Sequence, residues 1–586
     1  MKSFLKYTLA TIAGILVLNF LGFIIFFMII GIATSGEEVS VDDNSILVAS
    51  FKAPVTDRAN NNPFSQFTSG SFDIEGAMGL DEILENIEKA KTDEEISGIF
   101  LKLSTLPASM ASVKEIRDAL VDFKESGKFI LAHAEFYSQK SYYLASVADS
   151  IYLTPTGELD FKGLSANVLF FKRALDKYGV DVQVVRHGTF KSAVEPFLSD
   201  EMSDANREQL DAMISTIWEH MITEISAARG ISVDDLNSFA DDLSVTLDHQ
   251  ALEKGMVDGL KYYDEVLDEL RTRTETDEDD DIPAITLKKY TNVEVDEKKE
   301  ATKNRVAVIY AMGNIVSGNA EEGTISSERI SRAIRKARED DKVKAIVFRV
   351  NSGGGSALAS EVIYREVKLA AEVKPVVASL GSVAASGGYY VVCPADTIVA
   401  SENTITGSIG VFGILPNFQE MMNDKIGITT GVVKTNKHSD IGSPTRPLTM
   451  DERAFIQEYV DDTYTTFVNH VAEGRSMSYD EVDAIGGGRI WSGVNAMEIG
   501  LIDVFGGLEK SIEIAAEMAA LDNYRITELP VLEDPFTMFM NQLTGGVKSR
   551  IIEKELGDAY ALYKQVDVIK NFQGMQAIMP YTIDIY

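Results

Sequence analysis

The sequence predicts an α/β protein: two tandem copies of one domain built from repeated β-α-β units, preceded by one N-terminal transmembrane helix. Three observations predict it. The chain repeats itself at a nearly fixed offset, short β-branched runs alternate with amphipathic stretches, and the N-terminus holds a long stretch without charge. At 586 residues the chain exceeds what one hydrophobic core holds, so more than one domain is expected.

The repeat comes first. IEKAKTDEEISGIFLKLS at 87–104 aligns with IRKAREDDKVKAIVFRVN at 334–351 at an offset of 247. Ile87, Lys89, Ala90, Asp93 and Ile99 recur as Ile334, Lys336, Ala337, Asp340 and Ile346. YYLASVADSIYL and YYVVCPADTIVA share that offset, and ALEKGMVDGL (251–260) aligns with AMEIGLIDVF (496–505) at 245. Offsets that hold over ~200 positions mean a duplicated domain. The first copy is placed at 44–270 and the second at 305–525. Residues 271–304, opening with RTRTETDEDDDIP, are too acidic to bury apolar surface and read as a linker. Residues 526–586 have no counterpart in the first copy and read as a C-terminal extension.

Within each copy the pattern alternates. VAVIYAM, AIVFRV and KPVVASL are continuous apolar runs, as expected of parallel strands buried on both faces. SERISRAIRKARED carries apolar residues at helical spacing. A long amphipathic helix follows in each copy, MSDANREQLDAMISTIWEHMITEISAARG in the first and MDERAFIQEYVDDTYTTFVNHVAEGR in the second. Strand and helix in alternation give a β-α-β architecture.

From Tyr7 to Gly36 no residue is charged. A bilayer span needs about 20 apolar residues, whereas a cleaved signal peptide has an apolar core of roughly 7–15. Residues 1–36 are therefore expected to be an uncleaved anchor. Lys2 and Lys6 before it, and Glu37, Glu38, Asp42 and Asp43 after it, put the N-terminus in the cytoplasm and the domains outside. The competing reading is a long signal peptide cut near Ala33.

Composition excludes several functions. Lys and Arg number 55 against 90 Asp and Glu, a net charge of −35, which argues against a nucleic-acid partner. The single cysteine, Cys393, permits no intramolecular disulfide and reads as a small buried hydrophobe. None of the six histidines has metal-ligand spacing to another, and there is no HExxH. NSGGGS (351–356) lacks the Gly-Lys-Ser/Thr ending of a phosphate loop, and GSIGVFG lacks the dinucleotide fingerprint. Neither a metal nor a cofactor is expected.

What remains is a constellation in the second copy. The strand AIVFRV runs into Asn351-Ser352-Gly353-Gly354-Gly355-Ser356, and KPVVASL runs into GSVAASGGYY with Ser386 at its centre. Both turns fall at the C-terminal side of a sheet, where α/β folds place their sites. Glycine N–H groups suit an oxyanion hole, and a serine at a helix N-terminus sits in a field that favours a developing negative charge. Tyr389 and Tyr390 read as core.

RVNSGGGS, KPVVASLGSVAASGGYY, PADTIVA and TGSIGVFG, in that order, resemble the signal peptide peptidase A family, family S49 of the Clp protease/crotonase superfamily. The resemblance covers 45–525, and the duplication and the anchor resemble the family's long form. One departure is Gly353, where the family often has proline. The resemblance implies two tandem Clp/crotonase-like domains and a serine that works with a lysine. It makes Ser386 the nucleophile, Lys191 in VVRHGTFKSAVEPF (184–197) the general base, Ser408 of TGSIG the residue that orients the lysine, and Gly355 and Gly387 the oxyanion hole. It further implies a homotetrameric serine endopeptidase of the bacterial inner membrane with its domains on the periplasmic side. Its peptide substrates would be cleaved signal peptides and other hydrophobic peptides.

The residues bear on this independently. Lysine holds its proton to ~10.4, so it acts as a base only where it is desolvated or beside another cation. Phe190, Ala193, Val194, Pro196 and Phe197 supply an apolar surround. By the repeat, Gln139-Lys140 stand where the second copy has Ser386-Gly387, and Leu106-Pro107-Ala108 stand where it has Gly353-Gly354-Gly355. Conversely Ser439 falls opposite Lys191. Each copy keeps half of a dyad, so the copies must meet within a chain or across subunits. Two other functions remain open. A crotonase-like acyl-CoA enzyme would need neither the serine nor an anchor, and a catalytically silent membrane scaffold would be expected to lose Ser386 or Lys191.

Overall fold

The computed structural model describes residues 40–59, 77–293, 302–320, 323–532 and 575–579, with parts of 6–22. Most of the expected anchor, 1–36, and most of the C-terminal extension, 526–586, lie outside the described residues. Among the described residues no helix is long and apolar enough to cross a membrane.

The first copy holds β1 (Ser45–Ala49), a short pair β2 (Val55–Thr56) and β3 (Met78–Gly79), then β4 (Ile96–Lys102), β5 (Phe129–Tyr137), β6 (Ser150–Leu159), β7 (Asp181–Arg186), β8 (Gly259–Leu260) and β9 (Ala284–Thr286). Its main sheet runs β8-β6-β5-β4-β1-β9, and every pairing is parallel. Parallel neighbours need crossovers, and helices Leu80–Thr92, Met110–Phe123 and Gln139–Ala145 supply them. Both sheet faces are covered, which is why the strands read as unbroken apolar runs. Ile99 and Leu101 of β4 face a core shared with those helices, while Phe100 points the other way, onto Val266 and Leu270 of helix Tyr263–Arg273.

The second copy repeats the plan with β10 (Arg305–Met312), β11 (Ile315–Val316), β12 (Ile325–Ser326), β13 (Val343–Ser352), β14 (Gly354–Ser356), β15 (Val376–Ala385), β16 (Thr397–Ala400), β17 (Ile405–Gly407), β18 (Phe412–Asn417), β19 (Ile490–Ser492), β20 (Val504–Phe505), β21 (Arg525–Leu529) and β22 (Gln576–Ile578). Its main sheet runs β19-β17-β15-β13-β10-β21, with β16 branching from β15 and β20 pairing with β16. Ile346, Phe348 and Val350 of β13 face one core, and Ala345 and Val347 face another under helix Leu508–Met518. Cys393 is buried, and burial pushes its thiol up.

A third sheet, β12-β11-β14-β22-β18-β7, joins the copies, because β18 of the second copy pairs antiparallel with β7 of the first from Phe412↔Arg186 to Asn417↔Asp181. A buried ionic cluster adds to the joint. Arg349 of β13 reaches Asp57 (2.8 Å from Nε) and Glu115 (2.6 Å) of the first copy, and all three are buried.

The segment 271–304 departs from a plain linker. Helix Tyr263–Arg273 closes across its start, β9 pairs with β1, and Leu287 and Tyr290 are buried in the first core. Its apolar residues Ile285, Leu287 and Tyr290 lie beyond the acidic run, and that run masks them in a reading by composition. Correspondingly β21, across the boundary drawn at 525, does in the second copy what β9 does in the first: each is the parallel edge strand beside the copy's first strand.

Candidate active site

Ser386 follows the last residue of β15 and precedes helix Gly387–Val392. β15 is fixed there from both sides, by Ser352↔Ala384 and by Ala385↔Gly407, and the Ser386 N–H donates to the Gly407 carbonyl at 2.8 Å. Its backbone stands at φ 57°, ψ −117°, a region that costs a non-glycine residue of the order of 1–3 kcal/mol. In the first copy the corresponding helix, Gln139–Ala145, is capped by Ser138, whose hydroxyl accepts from the Ser141 N–H. The Ser386 hydroxyl makes no such cap. The strained turn aims it away from the helix, toward Lys191.

Lys191 lies between β7 and the turn Ser192–Val194. Its Nζ is 2.7 Å from Ser386 Oγ, 3.0 Å from Ser408 Oγ and 3.0 Å from the Ser408 carbonyl oxygen. Lys191, Ser386 and Ser408 are all fully buried. Burial alone, with no carboxylate beside it, drives the Lys191 ammonium well below the ordinary lysine range. A neutral amine has two N–H donors and one lone pair. In that form, donation to the two Ser408 oxygens would leave the lone pair facing the Ser386 hydroxyl. Ser408 is fixed in turn: its N–H donates to the Arg489 carbonyl at 2.7 Å and its hydroxyl to the Gly488 carbonyl at 3.3 Å.

Sequence reasoning missed the supports of the lysine. Loop Gly486–Arg489 of the second copy touches both halves. The Phe190 N–H donates to the Gly487 carbonyl at 3.0 Å, and the Gly487 N–H donates to the Tyr464 hydroxyl at 3.1 Å. Gly488 has φ +90°, and a β-carbon there would lie 2.6 Å from the Lys191 backbone. From helix Asp204–Arg229, Gln209 donates to Ser192 Oγ (2.5 Å) and the Phe190 carbonyl (3.3 Å) and accepts from the Ile490 N–H (3.2 Å). The run GGGR at 486–489 was the available signal for the loop. Gln209 had none, since it sits on a helix face like any polar residue.

The glycine turn sits beside the nucleophile. Gly354 has φ +102°, and a β-carbon on it would lie 2.7 Å from the Gly387 nitrogen, so Gly354 is the residue of the run set against Gly387. Gly355 lies one residue further, in the ladder between Ile315 and Ala577. The first-copy counterparts are structural. Gln139 accepts from the Lys162 and Gly163 N–H groups, and the Pro107 carbonyl accepts from Val55. Ser439 is exposed in a loop, its hydroxyl donating to the Asn436 carbonyl.

Duplicated parallel α/β domains with a buried serine at the C-terminal end of a strand define the class, an α/β serine hydrolase. The family model Peptidase family S49 matches residues 122–277 and again 368–522, once per copy. Protease 4 of Salmonella typhi is 37% identical over 492 residues, 81% of this chain and 77% of that one. The chloroplastic serine protease SPPA of Arabidopsis thaliana is 32% identical over 92% of this chain and 78% of its own. Protease 4 of Haemophilus influenzae is 34% identical over 75% and 72%. The chain belongs to peptidase family S49 and is a serine protease of the SppA type.

Proposed function

We propose that the protein cleaves peptides with a Ser386–Lys191 dyad. The observation that carries this is the 2.7 Å approach of a fully buried, charge-unpaired lysine to a fully buried serine on a strained turn. Neutral Lys191 takes the Ser386 proton as Oγ attacks the peptide carbonyl. The N–H of Gly387 at the helix start, with the glycine run beside it, receives the oxyanion. Lys191 then protonates the leaving amine and later draws a proton from the water that releases the acyl group. Ser408 acts through the lysine, as a positioning residue. The test is peptide hydrolysis by Ser386→Ala and Lys191→Ala chains. Each is expected to lose it by at least ~10³-fold with the assembly intact, and near-normal hydrolysis by either would sink the dyad.

The substrates proposed are cleaved signal peptides and other hydrophobic peptides. The uncharged run Tyr7–Gly36 supports this by holding the site at a membrane, with the domains on the outer side of a bacterial inner membrane. The same chain is proposed to assemble as a homotetramer. The internal repeat supports that reading. β18 pairs with β7 across the two copies, yet the segment of the first copy that matches β18 (165–170) and the segment of the second that matches β7 (429–434) pair with nothing in a described strand. Leu169, Val432 and Val433 stand exposed there. Pairing these two segments between neighbouring chains repeats the internal joint and, by head-to-tail contacts, closes a ring.

A further inference from the structure

The third sheet contains a strand that neither copy of the repeat supplies. β22 stands between β14 and β18, antiparallel to both. The Ala357 N–H donates to the Met575 carbonyl at 3.1 Å, and the Met579 N–H donates to the Gly353 carbonyl at 2.5 Å. Between these bonds Ala577 is paired with Gly355 and is fully buried. Its carbonyl oxygen points into the glycine turn. A β-carbon on Gly354 would lie 2.0 Å from that oxygen, and one on Gly387 would lie 2.8 Å from it. A peptide carbonyl therefore already stands where the helix of Ser386 begins.

The side chains of the segment go to separate apolar surfaces. Met575 packs on the second-copy core, with its sulfur beside Gly413. Ile578 packs on the cluster of Val182, Val184, Ala193 and Val194, the wall next to Lys191. Met579 packs on the cluster of Leu210, Met213, Ile405 and Ile490. An extended segment held by main-chain bonds, with alternate side chains in pockets, is how peptides are bound by strand addition.

We propose that Met575–Met579 is an intramolecular occupant of the peptide groove, seated with the Ala577 carbonyl at the glycine turn. Peptides that displace it carry a small residue at that position, a large apolar residue two before it, and large apolar residues one and two after it. The substrate class rests on the serine-protease dyad; the seating of the segment does not.

The test uses the full chain and two variants that expel the segment, Ala577→Arg and Ile578→Asp. Hydrogen exchange at 354–357 and 575–579 is read in each, and hydrolysis of a fluorogenic apolar peptide is measured beside it. If the segment fills the groove nine-tenths of the time, both variants gain about tenfold in kcat/KM, because an occupied site raises apparent KM by the inverse of its free fraction. A misfolded variant cannot produce such a gain. A nonapeptide with the sequence of residues 574–582 is expected to inhibit the Ala577→Arg chain, and the same peptide with Arg at the alanine to inhibit at least ~10-fold less. Unchanged exchange in both variants overturns the seating, and equal inhibition by the two peptides overturns the specificity. If no chain hydrolyses any peptide, the dyad fails, and exchange alone still decides the seating.

Discussion

At the residue scale the proposed dyad turns on the protonation state of one lysine. Lys191 is held well below the ordinary lysine range by burial, which favours its neutral form. Activity should rise with pH as Lys191 loses its proton, along an acid limb well below ~10.4. A pH profile of kcat/KM that rises only near that ordinary value would contradict this. Lys191→Arg, charged at every pH, should be inactive across the profile. Stability follows with its own sign. The folded pKa lies below the unfolded one, so the unfolded chain binds the extra proton between the two values and stability rises with pH through that window. The penalty is full below the folded value, and Lys191→Met should flatten that slope in denaturation measured at several pH values. Ser386 was legible because four ordered motifs surround it. Its pairing with Lys191 was legible through the family resemblance and the repeat, and not from spacing, because the partners lie 195 residues apart.

At the element scale, short loops join the two halves of the proposed dyad. Gly488→Ala puts a β-carbon 2.6 Å from the Lys191 backbone in a positive-φ turn. It should cost of the order of 1–3 kcal/mol and displace the amine, so that kcat falls more than KM rises and the acid limb shifts. A change in stability with an unaltered limb would count against the loop as a support of Lys191. The strands were legible as apolar runs because both sheet faces are covered. β9 was not, because three residues after an acidic run carry too little pattern to show an edge strand.

At the scale of the whole molecule, the two copies meet at the proposed site. Arg349 neutralises Asp57 and Glu115 across the joint, and Asp57 also accepts from Asn351 at 2.5 Å, one residue before Ser352. Arg349→Met leaves two buried carboxylates without a counterion and should cost about 3–5 kcal/mol by denaturant unfolding. The loss of a single cooperative transition would show the copies separating. The repeat made it legible that each copy carries half of the proposed site. It could not say which chain completes it, since a duplicated sequence is equally compatible with both arrangements. The geometry brings Ser386 and Lys191 together within one chain. Mixing Ser386→Ala and Lys191→Ala chains should therefore restore no activity, and restored hydrolysis would mean that the dyad crosses chains.

The most direct test of the dyad is covalent. A peptidyl fluorophosphonate should label the intact protein once per chain, at Ser386 by peptide mapping. The labelling rate should rise with pH along the limb set by Lys191 and be lost in Lys191→Ala. Labelling at another residue, or unaltered labelling of Ser386 in Lys191→Ala, would contradict it.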